Sequence, residues 1–292
     1  RVLFADAIPG GEALRAKIRA LPGVERAELC GSVRRRRETV KDFDILAAAA
    51  NAGPIMDAFV KLPEVLQVVG HGPTKSSVVV SYEPARRPKV VLIADLRVVS
   101  AEQFPFALVY FTGSKEHNIR LRQRAIERGL SLNEYALAGE KQSVACNDEP
   151  AVYAALDLEW VPPELREDAG EFDLAEKRAI PRLVEPGDIR GVFHNHTVAS
   201  DGSATLEQMA LAAKALGYEY FGVGDHSRSL TVANGLSPER VRAQWAEIDA
   251  LNAKLKGVKI LKGTECDILP DGTMDFDDEL LAGFDYVVAS VH

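Results

Sequence analysis

The stretch KDFDIL at residues 41–46 places two acids one residue apart in an apolar setting. Because successive side chains of a strand point to opposite faces, Asp42 and Asp44 share one face, where they can bind the same metal ions. A third acid, Asp95, interrupts the apolar run KVVLIADLRVV at 89–99, where a charge is costly unless a cation meets it. Three converging carboxylates suit two magnesium ions in an in-line phosphoryl transfer. We therefore predict a two-metal site.

The run GSVRRRR at residues 31–37 precedes these acids. Gly31 and Ser32 provide a turn with free backbone N–H groups, and the arginines from Arg34 to Arg37 can bind a triphosphate. Short acidic pairs also occur in solvated turns, and arginine runs also form solvated loops. The nearness of the two motifs favours a nucleotide site over these alternatives.

Apolar periodicity outlines the surrounding fold. Strands are predicted near 24–30, 42–48, 76–82 and 90–99. Helices are predicted over 11–21, 205–216, 238–255 and 277–283. The first group indicates a mixed sheet with helices, and the later helices alternate with strands as a parallel βα series of about half a barrel. The fold class is therefore α/β and α+β, in several domains.

These N-terminal motifs resemble those of the family X DNA polymerases. GSVRR, DFD, ADLRV and the segment YFTGSKEHNIRLRQRA at 110–125 occur in the order and approximate spacing of that family. The resemblance implies a nucleotidyltransferase palm over residues 1–100 and a thumb over 101–155. It also implies a DNA polymerase that fills short gaps in DNA repair, including base excision repair.

The resemblance further implies the roles of individual residues. Asp42, Asp44 and Asp95 are implied ligands of Mg²⁺ or Mn²⁺, and Asp95 also receives the proton of the primer 3′-hydroxyl. The residues implied to bind the incoming deoxynucleoside triphosphate are Gly31, Ser32, Arg35, Tyr110, Phe111, Gly113 and Asn118. Arg122 is implied to reach the DNA template. The vertebrate members carry an arginine where this chain has Ile93.

A helix is predicted from Asn118 to Arg128, with Gly129 as its stop. Its predicted buried stripe consists of Ile119, Ala125 and Ile126. Arginines recur at every fourth position on another face, and this predicted DNA-binding face consists of Arg120, Arg124 and Arg128. The alternative is a surface helix whose arginines are balanced by acids. Because only Glu116 and Glu127 lie close in sequence, the local charge favours DNA.

A second group of metal-binding residue types begins in GVFHNHTVASDG at 191–202. His194 and His196 alternate onto one strand face, and Asp201 follows on a turn. Three later apolar segments, FGVGDHS, LKGTECDI and YVVASVH, carry His226, Glu265 and His292 respectively. Polar residues at the carboxyl ends of successive strands are typical of catalytic barrels. Two surface histidines would be the alternative for the HxH pair alone.

From about residue 190 the chain resembles a PHP domain, the polymerase and histidinol phosphatase family of metal-dependent phosphoesterases. The resemblance implies manganese or zinc ligands at His194, His196, Asp201, His226, Glu265 and His292. In the complete protein such a site would give a 3′-5′ exonuclease. The family commonly has Asp-Leu before the first histidine, where this chain has Val192 and Phe193, and it has further ligands beyond the last one found here.

The expected domain order is palm, thumb, a connector over 156–189 and the N-terminal part of a PHP domain over 190–292. The connector is rich in Pro, Glu and Asp, and we expect it to be extended and packed on the surface, because it retains Trp160, Ile180 and Leu183. From Arg1 and His292 we expect the protein to continue at both ends.

The charge of the chain is unevenly divided. Residues 1–137 carry 21 Lys and Arg against 15 Asp and Glu, whereas residues 138–292 carry 14 against 28. The basic half holds the polymerase motifs, as phosphate binding requires. Cys30, Cys146 and Cys266 are few and far apart, which favours a reducing compartment. We therefore expect a cytoplasmic monomer that binds gapped or primer-template DNA and deoxynucleoside triphosphates, and no membrane.

The favoured function is DNA polymerisation by two-metal nucleotidyl transfer, because all three palm carboxylates are present. One alternative is a PHP phosphoesterase whose N-terminal half only holds DNA. Another is a non-enzymatic DNA-end binder, which would require both metal sites to be empty.

Overall fold

The computed structural model describes residues 1–83, 89–140 and 143–292. Contacts between these residues divide the chain into two compact units, Arg1–Pro181 and Arg182–His292. The polymerase motifs lie in the first unit, and the histidine-rich segments lie in the second.

The first unit is a mixture of strands and helices. Within its described residues, the strands are β1 (Val2–Leu3), β2 (Arg26–Leu29), β3 (Thr39–Val40), β4 (Asp42–Ala48), β5 (Val65–His71), β6 (Lys75–Tyr82), β7 (Val90–Val99), β8 (Leu130–Leu132), β9 (Leu137–Gly139) and β10 (Ser143–Val144). The helices are α1 (Phe4–Arg19), α2 (Gly31–Arg34), α3 (Gly53–Phe59), α4 (Phe104–Thr112), α5 (Lys115–Glu127), α6 (Glu149–Ala154) and α7 (Glu171–Glu176), with a 3-10 turn at Pro163–Leu165.

A five-stranded mixed sheet with the order β2-β4-β7-β6-β5 organises the first part of this unit. Strands β4 and β7 pair in parallel, so that Asp44 lies opposite Asp95. Phe43 and Ile45 are buried in a core with residues of α1 and α3, which turns the two acids of β4 to the opposite face. The same alternation that was read from the sequence thus determines the face on which the carboxylates lie.

Helix α4 covers the other end of that acidic face. Leu46 and Ala48, which follow the acids on the same face of β4, pack against Phe104, Ala107 and Leu108 of α4. The apolar half of the face is buried in this way, and the acidic half is left at the edge of the helix. The carboxylates therefore lie beside α4 rather than beneath it.

The buried side of α5 differs from the prediction. Its buried residues are His117, Leu121 and Ala125. Ile119 and Ile126, which were predicted to be buried, are 48% and 63% exposed. The prediction was right for Ala125 and wrong for Ile119 and Ile126, because the face that carries Ala125 also carries Leu121 and His117, a histidine with two hydrogen-bond partners.

The segment from residue 156 to 181 is packed into the thumb. Leu156, Val161 and Phe172 are buried with Leu121 and Leu137 in one apolar core. The segment also contains α7 and a 3-10 turn, so it is less extended than the connector that the sequence predicted. The proposed domain boundaries themselves stay a prediction.

The second unit is a parallel βα series. Its strands are β11 (Gly191–Asn195), β12 (Tyr220–Val223), β13 (Lys259–Leu261), β14 (Gly263–Asp267) and β15 (Tyr286–Ser290). Its helices are α8 (Leu206–Ala215), α9 (Pro238–Lys254) and α10 (Asp278–Leu281), with 3-10 turns at Pro186–Asp188 and Thr231–Ala233. The strands form the sheets β11-β12-β13 and β14-β15, all pairs parallel. The series is not closed into a barrel.

Two general properties follow from the described residues. None of their helices is long and apolar enough to cross a membrane. Cys30, Cys146 and Cys266 are buried and unpaired.

Candidate active sites

The three palm carboxylates concentrate negative charge on one face of the sheet. Burial, together with the charges of Asp42 and Asp95, raises the pKa of Asp44 to about 6. Lys75 Nζ lies 2.8 Å from Asp95 Oδ2 and supplies one compensating charge. One lysine does not balance three carboxylates. The remaining negative charge and the oxygen donors therefore suit a divalent cation such as Mg²⁺ or Mn²⁺.

The palm carboxylates are nevertheless not drawn together. Among the described residues, the groups of three ligand atoms that lie within 4.8 Å of one another are all in the second unit. The three acids therefore form a less compact group than the side chains of the second unit.

A pocket of ≈ 390 Å³ opens beside Asp42 and Asp44. It brings together every residue that the family resemblance implied for the nucleotide: Gly31, Ser32, Arg35, Tyr110, Phe111, Gly113 and Asn118. Arg122 also lines it, as do Thr112, Ser114 and Lys115, which the sequence analysis did not identify. Asp95 lies instead at a neighbouring pocket of ≈ 100 Å³, with Asp44 and Lys75.

Two glycines permit close approaches in this pocket. Gly31 has φ +59°, and a Cβ there would lie 2.2 Å from Asp44 Oδ2. Gly113 has φ +69°, and a Cβ there would lie 3.1 Å from Arg35 Nη1. Side chains at either position would therefore displace an acid or the arginine of the pocket.

The arginine run is largely occupied by carboxylates from the thumb. Arg34 donates two hydrogen bonds to Glu149, at 2.8 and 2.7 Å. Arg36 pairs with Glu164 at 3.0 Å. Of these arginines only Arg35 lines the pocket, and it too has an anionic partner, Glu167, at 2.7 Å. Binding of a triphosphate by the run stays a prediction.

Glu149 is the centre of a buried ion-pair network. Arg166, which is completely buried, donates to Glu149 Oε1 at 2.8 Å. Burial alone would raise the pKa of Glu149, but hydrogen bonds from Arg34 and the charge of Arg166 outweigh it and lower the pKa to about 2. The carboxylate is therefore ionised and joins the loop of the palm to the thumb.

The three arginines predicted to face DNA are paired with distant acids. Arg124 is paired with Glu176, Arg128 with Asp157 at 3.1 Å, and Arg120 with Asp168 at 3.6 Å. The local excess of positive charge inferred from neighbouring residues was wrong, because the balancing acids lie 29 to 52 residues away in sequence for Arg128 and Arg124. DNA binding by this face stays a prediction, and these pairs count against it.

A buried histidine in the thumb was not identified as a structural residue from the sequence. His117 Nδ1 lies 2.7 Å from Glu171 Oε1, and its Nε2 lies 2.8 Å from Tyr153 Oη. Burial lowers the pKa of His117, and Glu171 is ionised because hydrogen bonds outweigh its burial and bring its pKa to about 2. We therefore assign a neutral imidazole that donates from Nδ1 to Glu171 and accepts from the hydroxyl of Tyr153.

The second unit brings its six predicted ligands into one cluster, which we call the histidine cluster: His194, His196, Asp201, His226, Glu265 and His292. Glu265 lies at its centre. Its Oε2 is 3.0 Å from both His194 Nε2 and His226 Nδ1, and 3.7 Å from His196 Nε2. Its Oε1 is 3.6 Å from His292 Nε2.

The strand ends produce this convergence. His194 lies in β11 and Glu265 lies in β14, whereas His226 and His292 lie three and two residues after the ends of β12 and β15. Asp201 closes the remaining side, with its carboxylate oxygens 3.5 Å from His196 Nδ1 and 3.6 Å from His226 Nε2. Parallel strands that end at the same edge therefore bring the four histidines and Glu265 together, and the turn after β11 adds Asp201.

Buried polar groups support the histidine cluster from behind. Asp225 accepts hydrogen bonds from the backbone and hydroxyl of Thr197 at 2.7 Å and from Gln244 Nε2 at 2.6 Å. His292 Nδ1 lies 2.6 Å from Asp267 Oδ1, which leaves Nε2 on the side of Glu265. Around metal sites, a carboxylate commonly accepts a hydrogen bond from the histidine ring nitrogen that does not bind the metal. Neither Asp225 nor Asp267 was predicted from the sequence.

The donor set fits a transition metal. Burial and the nearby His226 lower the pKa of His196, which favours the neutral imidazole that binds metal. The buried Nδ1 atoms of His196 and His226 lie 3.5 Å from Asp201 and 3.0 Å from Glu265, but neither contact has hydrogen-bond geometry. Nitrogen and carboxylate donors together suit zinc or manganese.

Two protein-family models match separate parts of the chain. The model of the DNA polymerase beta thumb matches residues 107–167. The model of the PHP domain matches residues 193–292, the region that contains the whole histidine cluster.

Individual relatives cover both halves. The DNA polymerase/3′-5′ exonuclease PolX of Bacillus subtilis is 43% identical over 266 residues, which are 90% of this chain and 45% of that protein. The chain thus spans less than half the length of this relative. A probable phosphatase of Acetivibrio thermocellus is 35% identical over 101 residues, which are 34% of this chain and 39% of that protein.

Two further matches are to DNA polymerases. Human DNA-directed DNA/RNA polymerase mu is 40% identical over 75 residues, which are 25% of this chain and 15% of that protein. Polymerase beta of Leishmania infantum, solved as a ternary P/T complex, has a TM-score of 0.51 and 23% identity, and covers 57% of this chain and 76% of that chain. The latter similarity concerns the fold. From the two domain matches and the extended similarity to PolX, the chain belongs to the family X DNA polymerases that carry a PHP domain.

Proposed function

We propose that the protein is a DNA-directed DNA polymerase that fills short gaps during DNA repair. The observation that carries this proposal is the ≈ 390 Å³ pocket, which places Ser32, Arg35 and Asn118 beside Asp42 and Asp44. One pocket thus combines donors for phosphate with acids for metal ions. The relationship to PolX supports the same activity.

The three palm acids would hold Mg²⁺ or Mn²⁺, which supply charge stabilisation to a phosphoryl transfer when bound. Asp95 would accept the proton of the primer 3′-hydroxyl, because its position opposite Asp44 keeps it on the same face. Ser32 and Arg35 would bind the triphosphate. The primer hydroxyl would form a new phosphodiester at the α-phosphate, with pyrophosphate as the leaving group.

The remaining walls of the pocket would select the nucleotide. Asn118 Nδ2 donates to the carbonyl of Tyr110 at 2.7 Å, which orients the amide, uses one of its two N–H donors and leaves the other donor and the Oδ1 acceptor for the base edge. Tyr110, Phe111 and Gly113 would line the sugar, and Arg122 would reach the template. DNA with a gap or a primer-template junction is the proposed partner.

A gapped-duplex extension assay with the full-length protein tests this function. We expect Mg²⁺- or Mn²⁺-dependent addition of nucleotides, and its loss in an Asp42→Asn/Asp44→Asn variant that still binds DNA. The matched control is Asp57→Asn, an exposed acid of the same unit whose contact is His71. Extension by the double variant at the unsubstituted rate would refute the proposal.

We propose a second activity, metal-dependent phosphoester hydrolysis, for the histidine cluster. Its support is the convergence of six ligand side chains, the PHP match and the probable phosphatase among the relatives. A 3′-5′ exonuclease of the complete protein is the specific form, since the name of the PolX relative includes it. Release of 3′ nucleotides from single-stranded DNA with Mn²⁺ or Zn²⁺, with and without His194 and His196, tests it.

We also propose a cytoplasmic monomer. The relationship to a bacterial polymerase supports the location, and the three unpaired cysteines fit a reducing compartment. Size-exclusion chromatography with light scattering, across a range of protein concentrations, tests the monomeric state.

A further inference from the structure

The arginine that lines the proposed nucleotide pocket already has a carboxylate partner. Arg35 Nε lies 2.7 Å from Glu167 Oε1, and Arg35 Nη1 donates to the carbonyl of Thr112 at 2.5 Å. The Glu167 oxygen is also 3.7 Å from Arg37. The side chains of Arg35 and Glu167 are only 14% and 25% exposed, so this charge pair is largely shielded from water.

The backbone on both sides of Glu167 is held firmly. The amide of Ser114, a residue of the pocket wall, donates to the carbonyl of Arg166 at 2.9 Å. Arg166 is itself buried and bound to Glu149 and to the carbonyl of Val161. The next residues, Asp168 and Ala169, donate their amides to Glu171. The carboxylate of Glu167 can therefore leave Arg35 by rotation of its side chain, but its backbone is fixed.

A triphosphate that approaches Arg35 would meet this negative charge. Two like charges a few ångströms apart repel strongly where water is excluded. An exposed pair would be screened by salt, but a pair that is mostly buried is screened much less. The nucleotide must therefore either displace Glu167 from Arg35 or bind beside an opposing charge.

We propose that Glu167 is a resident competitor of the triphosphate for Arg35 and sets the affinity of the pocket for nucleotide. This inference rests on the proposed polymerase function and adds to it a residue outside the pocket lining. In the nucleotide-free protein Glu167 neutralises Arg35, and on binding it gives up that contact to a phosphate. The affinity for nucleotide is thus lower than the donors of the pocket alone would provide.

Glu167→Gln separates charge from geometry, because glutamine keeps an oxygen that can accept from Arg35 Nε and lacks the negative charge. We expect the Kd of a non-hydrolysable deoxynucleoside triphosphate analogue, measured on the full-length protein with gapped DNA, to fall about three- to tenfold. The Kd of inorganic tripolyphosphate should fall by a similar factor, since the effect acts on the phosphates. Glu167→Ala should also lower both Kd values and provides a second variant.

The matched control is Glu164→Gln. Glu164 pairs with Arg36 at 3.0 Å in the same ladder of ion pairs, but Arg36 does not line the pocket. Its nucleotide Kd should stay within about twofold of the unsubstituted protein, as expected for an exposed pair.

These measurements separate a failure of the inference about Glu167 from a failure of the proposed polymerase function. An unchanged or higher Kd in both Glu167 variants, with folding verified by thermal melting, overturns the inference, because Glu167 would then only orient Arg35. A decrease of equal size in Glu164→Gln also overturns it, since the effect would be general electrostatics. If the unsubstituted protein binds neither nucleotide nor tripolyphosphate, the proposed polymerase function fails together with the inference.

Discussion

The palm carboxylates and the histidine cluster are both suited to metal ions, but they are assembled in different ways. In the cluster, Glu265 lies 3.0 Å from two imidazoles, and the rings of His196 and His226 stack at 4.4 Å. In the palm, no comparable group of ligand atoms forms among the described residues, and Asp44 is instead driven toward protonation. Imidazoles can be packed around a carboxylate without repulsion between like charges, whereas three carboxylates repel one another.

The difference indicates what each site needs for completion. The histidine cluster has enough protein ligands to hold an ion by itself. The palm offers three acids and an open pocket, so further oxygen ligands would come from the triphosphate and water, as is usual for Mg²⁺. We therefore expect metal binding at the palm to depend on nucleotide, and metal binding at the cluster to be independent of it.

The largest expected effect is a double dissociation of the two sites. His194→Ala/His196→Ala should remove the metal of the second unit, measured by elemental analysis, and leave gap filling within about threefold of normal. Asp42→Asn/Asp44→Asn should reduce gap filling roughly a thousandfold or more, because the transition state loses its metal ligands, with the metal content of the cluster unchanged. Parallel loss of both properties in either variant would contradict the independence of the sites.

The second prediction concerns Mn²⁺ titration followed by electron paramagnetic resonance. In the His194→Ala/His196→Ala background, a non-hydrolysable nucleotide should tighten Mn²⁺ binding at the palm about tenfold or more, since the phosphates add ligands and charge. In the Asp42→Asn/Asp44→Asn background, the same nucleotide should leave binding at the cluster unchanged. Equal nucleotide dependence at both sites would remove the distinction.

The third prediction tests whether the first unit depends on its buried ion pairs. Glu149→Ala leaves Arg34 and the fully buried Arg166 without their carboxylate, and we expect a loss of about 3–5 kcal/mol in the free energy of unfolding. Glu164→Ala is the control and should change it by less than ~1 kcal/mol, because its pair is solvated. Urea unfolding of the full-length protein measures both, and a similar loss in the two variants would sink the idea.

The smallest expected effect is a dependence of the first unit on pH. His117 has a lowered pKa in the folded protein, so below its ordinary value of about 6.5 the unfolded chain binds more protons than the folded one. Its contribution to stability is therefore complete above that value and falls as the pH decreases. Glu149 and Glu171, each with a folded pKa of about 2, add a further loss from about pH 4.5 downward. His117→Gln should flatten the first of these two phases in urea unfolding between pH 5 and 7, and an unchanged slope there would exclude His117 as its source.

The sequence predicted those features that depend on local pattern. Strands β4 and β7 were predicted over the ranges observed, because strong β-formers alternate with the acids. Most residues of the histidine cluster were predicted together because they lie in or shortly after apolar strands, whereas Asp201 lies on a turn. Strand β5 was not predicted, since its residues form an exposed edge without alternation.

Features that depend on distant partners were beyond local pattern. The charge balance at Arg124 and Arg128 was judged from neighbours in sequence, whereas their partners Glu176 and Asp157 lie 52 and 29 residues later in the chain. His117 is invisible as a buried residue until Tyr153 and Glu171 are placed beside it. Long-range pairing therefore limits the prediction of a charged surface more than it limits the prediction of a motif.

The network of Arg34, Glu149 and Arg166 also constrains how the family can diverge. A substitution of Arg34 alone leaves a buried anion with one cation, and a substitution of Glu149 alone leaves two buried cations together. A substitution at one of the three positions therefore destabilises the protein unless the other two positions change with it. Among relatives, the three positions should be inherited as a unit and replaced as a unit, although 115 residues separate Arg34 from Glu149.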